Sequence, residues 1–472
     1  MRIGVVLGEP YKPYELFRFC DHGIMLDRWP NILKNNLPRS LHIQGNIEEI
    51  TNYLFENSNR INSIDDIKIS LRIDLCPIPR ARISIKKLLL EKLTLFQICF
   101  SLKKYSASAR EVLVKFKIDT RDDLEELKKF SNKLGRPRSL FTIYECLPNT
   151  VTFMRLTNAK ELPFFNNLNH LKSLSFIDVD IQYLKLPDSL ENLTFSSSRF
   201  EDSVQEIRFS PNLKSIKIAN TMYKHNQTFS NWPNTLKSLT MENNYGRDCI
   251  ISDLPNSLEF LLISSLKSFN DINLNIEIFP ESLLDLTLLK VVFPQEFNSE
   301  KIPQRLKRLE LSIDLTSLSD WVLPDSLIHL NLDNNIIESI TDYNNPNLNK
   351  DWQQLTHLRY LSLANNSITQ SSIIDWLPPP TLNYLTLRAN QINDLNISLF
   401  KEEGRIYTNN LLKIDVSLCP VTSIPDDFYF PENVYEFYLS GTNLQSRFLP
   451  FSIRSKRLTK IITRDTDYKL DK

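Results

Sequence analysis

Side chains able to do chemistry are sparse and scattered in this 472-residue chain. The six histidines, His22, His42, His170, His225, His329 and His357, stand alone, and so do the six cysteines, Cys20, Cys76, Cys99, Cys146, Cys249 and Cys419. Zinc needs thiolates or imidazoles at short intervals, or a His-Glu-x-x-His pair on one helix face, and neither spacing occurs. No glycine-rich loop followed by lysine is present to cradle a phosphate. His329 and His357 come nearest to a pair, but without acidic or thiolate partners in the pattern they read as surface residues, not ligands. The expectation is a non-enzyme with no metal and no cofactor. What remains is recognition. Tyr and Arg give large contact area and directed hydrogen bonds, and with carboxylates they gather late in the chain, at Arg308, Glu310, His329, Tyr360, Tyr384, Arg388, Asp415, Glu436 and Tyr438.

Elements that could hold those residues on one surface announce themselves by repetition. The phrase Leu186-Pro187-Asp188-Ser189-Leu190 returns as Leu254 to Leu258, Phe279 to Leu283 and Leu323 to Leu327, with Leu147 to Val151 a looser copy. Each copy opens an apolar triplet, LxxLxL. The triplets begin at Val151, Leu171, Leu190, Leu213, Leu236, Leu258, Leu283, Leu306, Leu327, Leu358, Leu382, Leu411 and Val434. Most steps are about 19–25 residues, with two of roughly 30 that must carry an inserted loop. Four copies extend to LxxLxLxxNxL, with Asn335, Asn366, Asn390 or Cys419 at the ninth position, and Asn244 stands at the same place in an earlier copy. This pattern, over about residues 146–446, resembles the leucine-rich-repeat family, and the Leu-Pro-x-Ser-Leu start is similar to variants common in fungi and amoebae.

The resemblance implies an α/β repeat fold, a solenoid or horseshoe with a parallel β-sheet on its concave face. With only 8 glycines and no long helical pattern per repeat, the convex side should be mostly irregular or 3₁₀. The physics agrees. Alternation along a strand puts the two inner triplet residues on one face, no single unit can bury them, and stacking neighbours makes a continuous apolar column. Proline, lacking an N–H and fixed in φ, belongs on the leg entering each strand. An Asn at the ninth position can pair with backbone groups leaving the ladder, and Cys419 there should be buried and unreactive. Some bacterial effectors join such repeats to a ubiquitin-ligase domain with a nucleophilic cysteine, but only a short tail follows the array here.

Residues between the leucines point out of the concave face. One column runs Phe153, Ser173, Asn192, Ser215, Ser238, Phe260, Asp285, Arg308, His329, Tyr360, Tyr384, Lys413 and Glu436. A second runs Arg155, Ser175, Thr194, Lys217, Thr240, Leu262, Thr287, Glu310, Asn331, Ser362, Thr386, Asp415 and Tyr438. Small hydroxyl residues dominate early and large amphipathic ones from Leu306 onward, so a partner is expected to seat on the C-terminal half. Tyr and Thr also favour exposed strand positions for reasons of packing alone.

Residues 61–145 carry looser triplets at Ile64, Leu90 and Leu113, and Arg121 to Leu134 has an amphipathic helical pattern. Residues 1–60 lack the repeat and read as a cap, or as a degenerate F-box in which Leu37-Pro38 precedes Tyr53-Leu54. Residues 447–472 read as a C-terminal cap with a basic tail. Lys+Arg and Asp+Glu both total 56, so no net field draws the chain to nucleic acid or membrane. No stretch has the look of an export signal or a membrane span. With cysteines used singly, the expectation is a cytoplasmic protein, nuclear residence open, not secreted, monomeric by itself, binding another protein or peptide. Sequons at Asn192, Asn226, Asn365 and Asn396 are what an Asn-, Ser- and Thr-rich chain produces by chance. Two alternatives stay open: an F-box-like substrate receptor of a ubiquitin ligase, and a steric regulatory subunit of an enzyme.

Overall fold

A computed structural model describes six strand backbones before residue 117, most of residues 151–444, and the strands at 460–463 and 466–468. The helical pattern at 121–134, the aromatic residues of the first 60 and the side chains of the basic tail lie outside the described residues. Two compact units, Met1–His225 and Asn226–Lys472, divide the chain.

In the first unit, Arg2–Val6 pairs in parallel with both His22–Met25 and Ser40–Asn46, and the ladder continues through Asp66–Asp74 to Leu93–Ser101. Glu111–Phe116 then runs antiparallel to Leu93–Ser101 and to Val151–Thr157. From there Val151–Thr157, Ser173–Ile177, Asn192–Ser196 and Ser215–Ala219 stack in parallel. In the second unit the parallel stack runs from Ser238–Gly246 and Phe260–Ser265 through Asp285–Leu289, Arg308–Ser312, His329–Asn331, Tyr360–Ser362, Tyr384–Thr386 and Lys413–Asp415 to Glu436–Tyr438 and Lys460–Thr463. Thr466–Tyr468 turns back antiparallel on the last of these. The array is a leucine-rich-repeat solenoid.

The repeat phrase explains this architecture atom by atom. In Leu-Pro-x-Ser-Leu the closing leucine N–H donates to the proline carbonyl, at 3.2 Å for Leu190, 3.1 Å for Leu258, 3.0 Å for Leu283 and 3.1 Å for Leu327, which is a β-turn delivering the chain to its strand. The serine hydroxyl donates to the carbonyl of the leucine that opens the preceding repeat, Ser257 to Leu236 at 2.7 Å and Ser326 to Leu306 at 2.7 Å. Each phrase thus closes its own turn and pins it to the rung before. Leu327, Leu330, Leu332 and Ile337 are fully buried, as are Leu358, Leu361, Leu363 and Ile368, and each such side chain contributes about 1.5–3 kcal/mol on leaving water. In the first unit aromatic rings extend the core, with Phe176 stacked on Phe195 at 5.2 Å.

Asn335, Asn366 and Asn390 form a second ladder, inside the turns. The Asn366 Oδ1 accepts from Ile337 N at 3.1 Å while its Nδ2 donates to the Leu332 and Leu363 carbonyls at 2.9 and 3.1 Å. Asn390 repeats the arrangement one rung on, and Asn244 is buried in its own repeat. Cys419 takes the same place with a thiol, its Sγ 3.2 Å from the Leu387 carbonyl. Away from the main sheet the chain makes short parallel ladders, such as Arg199–Phe200 between Asp180–Ile181 and Met222–Tyr223. The 3₁₀ turns at Ser299–Lys301 and Ser398–Phe400 and the short helix Gln370–Ile373 also lie there, which is the irregular side expected from the scarcity of helical pattern.

Candidate functional site

Parallel pairing aligns the outward residues rung by rung. Asp285 is in register with Arg308, Arg308 with His329, His329 with Tyr360, Tyr360 with Tyr384, Tyr384 with Lys413, and Lys413 with Glu436. One pleat further, Glu310, Asn331, Ser362, Thr386, Asp415 and Tyr438 form the next column. Neighbouring strands lie about 4.8 Å apart, so the path from Arg308 to Glu436 crosses roughly 24 Å of sheet.

Side chains join these columns into a connected strip. Arg308 donates to Glu310 and lies 3.8 Å from Asp285. His329 Nε2 is 3.2 Å from Glu310 Oε1, its ring stacks on Tyr360 with centroids 4.2 Å apart and an interplanar angle of 2°, and Tyr360 in turn lies 6.4 Å from Tyr384. The Lys413 ammonium sits 5.8 Å from the Tyr384 ring and 5.5 Å from the Tyr435 ring, and binds Glu436 at 2.7 Å. The Tyr438 hydroxyl donates to Glu436 at 2.7 Å. Because the rings stack along the sheet, they present edges to solvent and bury their faces against one another.

The electrostatics is uneven along the strip. The bond from His329 holds the Glu310 carboxyl below its ordinary range, with Arg308 assisting against a desolvation cost. Desolvation pushes Asp285 up, Arg308 countering it in part, and Asp285 Oδ1 is buried without a hydrogen-bond partner. Desolvation likewise raises Asp333, although Ser362 and the Ala364 N–H, at 2.7 Å, donate to its Oδ1. At the other end Glu436 holds Lys413 and Tyr438 above their ordinary values.

Of the nine residues singled out in sequence, Arg308, Glu310, His329, Tyr360, Tyr384, Glu436 and Tyr438 belong to this connected strip. Asp415 shares the second column and accepts from Ser417 N at 2.8 Å, and Arg388 is exposed two residues beyond Thr386. Asp285, Asp333 and Lys413 were not singled out. Asp285 and Lys413 stand in the register column itself, and Asp333 is seventh in its repeat, as Arg388 is in its own. His357 does not join the strip: it is exposed, with Nδ1 3.1 Å from the Asp325 carbonyl. Among the described residues no group of three or more His, Cys, Asp or Glu is placed to hold a metal, and no helix is long and apolar enough to cross a membrane. Burial pushes the Cys249 and Cys419 thiols up, away from nucleophilic use.

No protein-family model matches the chain. Among curated proteins it is similar to osteomodulin of Bos taurus, 26% identical over 305 residues, or 64% of this chain and 58% of that protein. Osteomodulin of Rattus norvegicus is 27% identical over 319 residues, 67% and 61% respectively, so the chain spans about three fifths of these relatives. Among solved structures it is similar to the ectodomain of the plant membrane receptor kinase GASSHO1/SCHENGEN3 of Arabidopsis thaliana, determined in complex with CASPARIAN STRIP INTEGRITY FACTOR 2, at 14% identity and TM-score 0.41, covering 89% of this chain and 45% of that one. The osteomodulin matches overturn the expectation of a cytoplasmic, unsecreted protein and point to extracellular or secreted leucine-rich-repeat proteins. Single cysteines misled that expectation for a physical reason: Cys249 and Cys419 are free because each is buried alone in packing, which says nothing of the redox compartment. Nothing in these matches supports a ubiquitin-ligase adaptor.

Proposed function

We propose that this leucine-rich-repeat protein is a non-enzymatic interaction scaffold that seats a partner protein or peptide across the open sheet face of its C-terminal strands. The observation that carries this reading is the connected strip from Asp285 to Tyr438, in which charged and aromatic side chains are held by one another. Side chains ordered before binding lose less freedom when a partner arrives, and Tyr and Arg at the centre of a face are the types that carry binding energy. No buried core explains these residues, since Tyr384 is 36% exposed.

The test is affinity capture from both medium and lysate with full-length protein, the Tyr360→Ala/Tyr384→Ala pair and Ser215→Ala. A partner held by the wild type and by Ser215→Ala, and lost by the tyrosine pair, is the expected result. Equal retention by both variants would place binding elsewhere.

A further inference from the structure

The four Asn-x-Ser/Thr triplets begin at Asn192, Asn226, Asn365 and Asn396, and the fold sorts them by what their side-chain amides do. We propose that Asn226 and Asn396 carry N-linked glycans and that Asn192 and Asn365 do not. The sugar donor is an oligosaccharide on a lipid diphosphate, met by chains that enter the secretory lumen, and the osteomodulin matches point to that route. In the transfer the Asn amide nitrogen bonds to the first sugar carbon. The bond from that carbon to the diphosphate oxygen breaks, its electron pair staying on the diphosphate, and one amide proton is released.

Attachment removes one N–H donor and sets a bulky polar group on Nδ2, so the amide must stand in solvent and be spared by the fold. The ninth-position asparagines fail this, Asn244, Asn335, Asn366 and Asn390 all being buried. Asn192 and Asn365 are exposed, but Asn192 Nδ2 donates to Ser173 Oγ at 3.1 Å and Asn365 Nδ2 to Asn334 Oδ1 at 3.2 Å, each tying its repeat to the one before. Among the described residues the side-chain amides of Asn226 and Asn396 donate no hydrogen bond.

These two also lie outside the strands of the main sheet. Asn226 is exposed just before Gln227–Phe229, which pairs with Cys249–Ile251 in a separate three-stranded ladder. Strand alternation sends Gln227 inward and leaves Asn226 and Thr228, the amide and hydroxyl of the triplet, both exposed. Asn396 is exposed between buried Leu395 and Ile397, its N–H donating to Asp394 Oδ1 at 2.8 Å, and the chain then enters the 3₁₀ turn Ser398–Phe400. Glycans on these return segments leave the sheet face from Asp285 to Tyr438 open.

The experiment isolates the protein from its own cells and their medium and reads its mass before and after peptide N-glycosidase, which frees the sugar and leaves aspartate at each occupied position. Peptide mass spectrometry then locates the conversions. Conversion of Asn226 and Asn396 alone is expected, with one glycan lost in Asn226→Gln, one in Asn396→Gln, both in the double variant and none in Asn192→Gln or Asn365→Gln. Thr228→Ala, which removes only an exposed hydroxyl and keeps the asparagine, should lose the same glycan as Asn226→Gln. A mass that the glycosidase leaves unchanged, a glycan remaining on the double variant, or Thr228→Ala with its glycan intact overturns the proposal.

Discussion

At the scale of single residues the protein separates groups that hold the fold from groups the fold tolerates at a cost. Asn366 satisfies backbone atoms on two adjacent repeats with one amide, and nothing else of its size offers both an acceptor and two donors. Asp333 is of the second kind. Its desolvation raises the carboxyl's pKa, so the native state resists the ionised form more than the unfolded chain does. An acid with a raised native pKa weakens the fold above that pKa, and the penalty disappears as pH falls through it toward the ordinary Asp value of about 4. Asp333→Asn keeps an acceptor for Ser362 and Ala364 without the charge. It should therefore be more stable than wild type at neutral pH, with the gap closing toward pH of about 4, as read from urea midpoints at both pH values. A gap that widened on acidification would contradict desolvation as the cause.

At the scale of the repeat, one conformational requirement recurs that has no consensus letter in the sequence. In ten of the repeats the eighth residue adopts a left-handed backbone: Asp178, Ser197, Asn220, Asn243, Lys290, Asn334, Asn365, Ala389, Leu418 and Gly441 all have φ between 51° and 71°. Asn, Asp and Gly enter this region readily, whereas other residues spend about 1–2 kcal/mol there. Ala389 is the clearest such misfit, at φ 55°. Ala389→Gly should raise the unfolding free energy by about 1 kcal/mol, net of the added freedom of the unfolded glycine. Calorimetry checks it, and a lowered melting temperature would refute the left-handed assignment. The leucine triplets and the ninth-position Asn were legible because each demands one residue type. The eighth position was not, because its demand is on φ, which several residue types meet at different cost. Asp333 escaped for a related reason: its bonds go to Ser362 and Ala364, in the next repeat and so remote in sequence.

At the scale of the molecule the stack is built from nearest-neighbour contacts, so damage should spread along it by rungs. Leu330 is fully buried, and Leu330→Asp places an unpaired carboxylate in the apolar column at a cost of several kcal/mol. Thr386, partly exposed beside buried Leu387, should accept Asp with little change. In hydrogen exchange within the second unit, Leu330→Asp should strip protection first from Arg308–Ser312 and Tyr360–Ser362, and last from Ser238–Gly246 and Glu436–Tyr438. Uniform loss across all strands of this unit would show a cooperativity that a solenoid lacks. The sequence alone determined the solenoid, the inward leucines and the outward columns, because a strand's period of two and a repeat of near-constant length leave one way to bury the apolar residues. Tertiary structure alone decided which outward residues interact. Only stacking brings Glu310 within reach of the charge of Asp285 in the repeat before and of Asp333 in the repeat after, and only burial makes those two carboxyls costly to ionise.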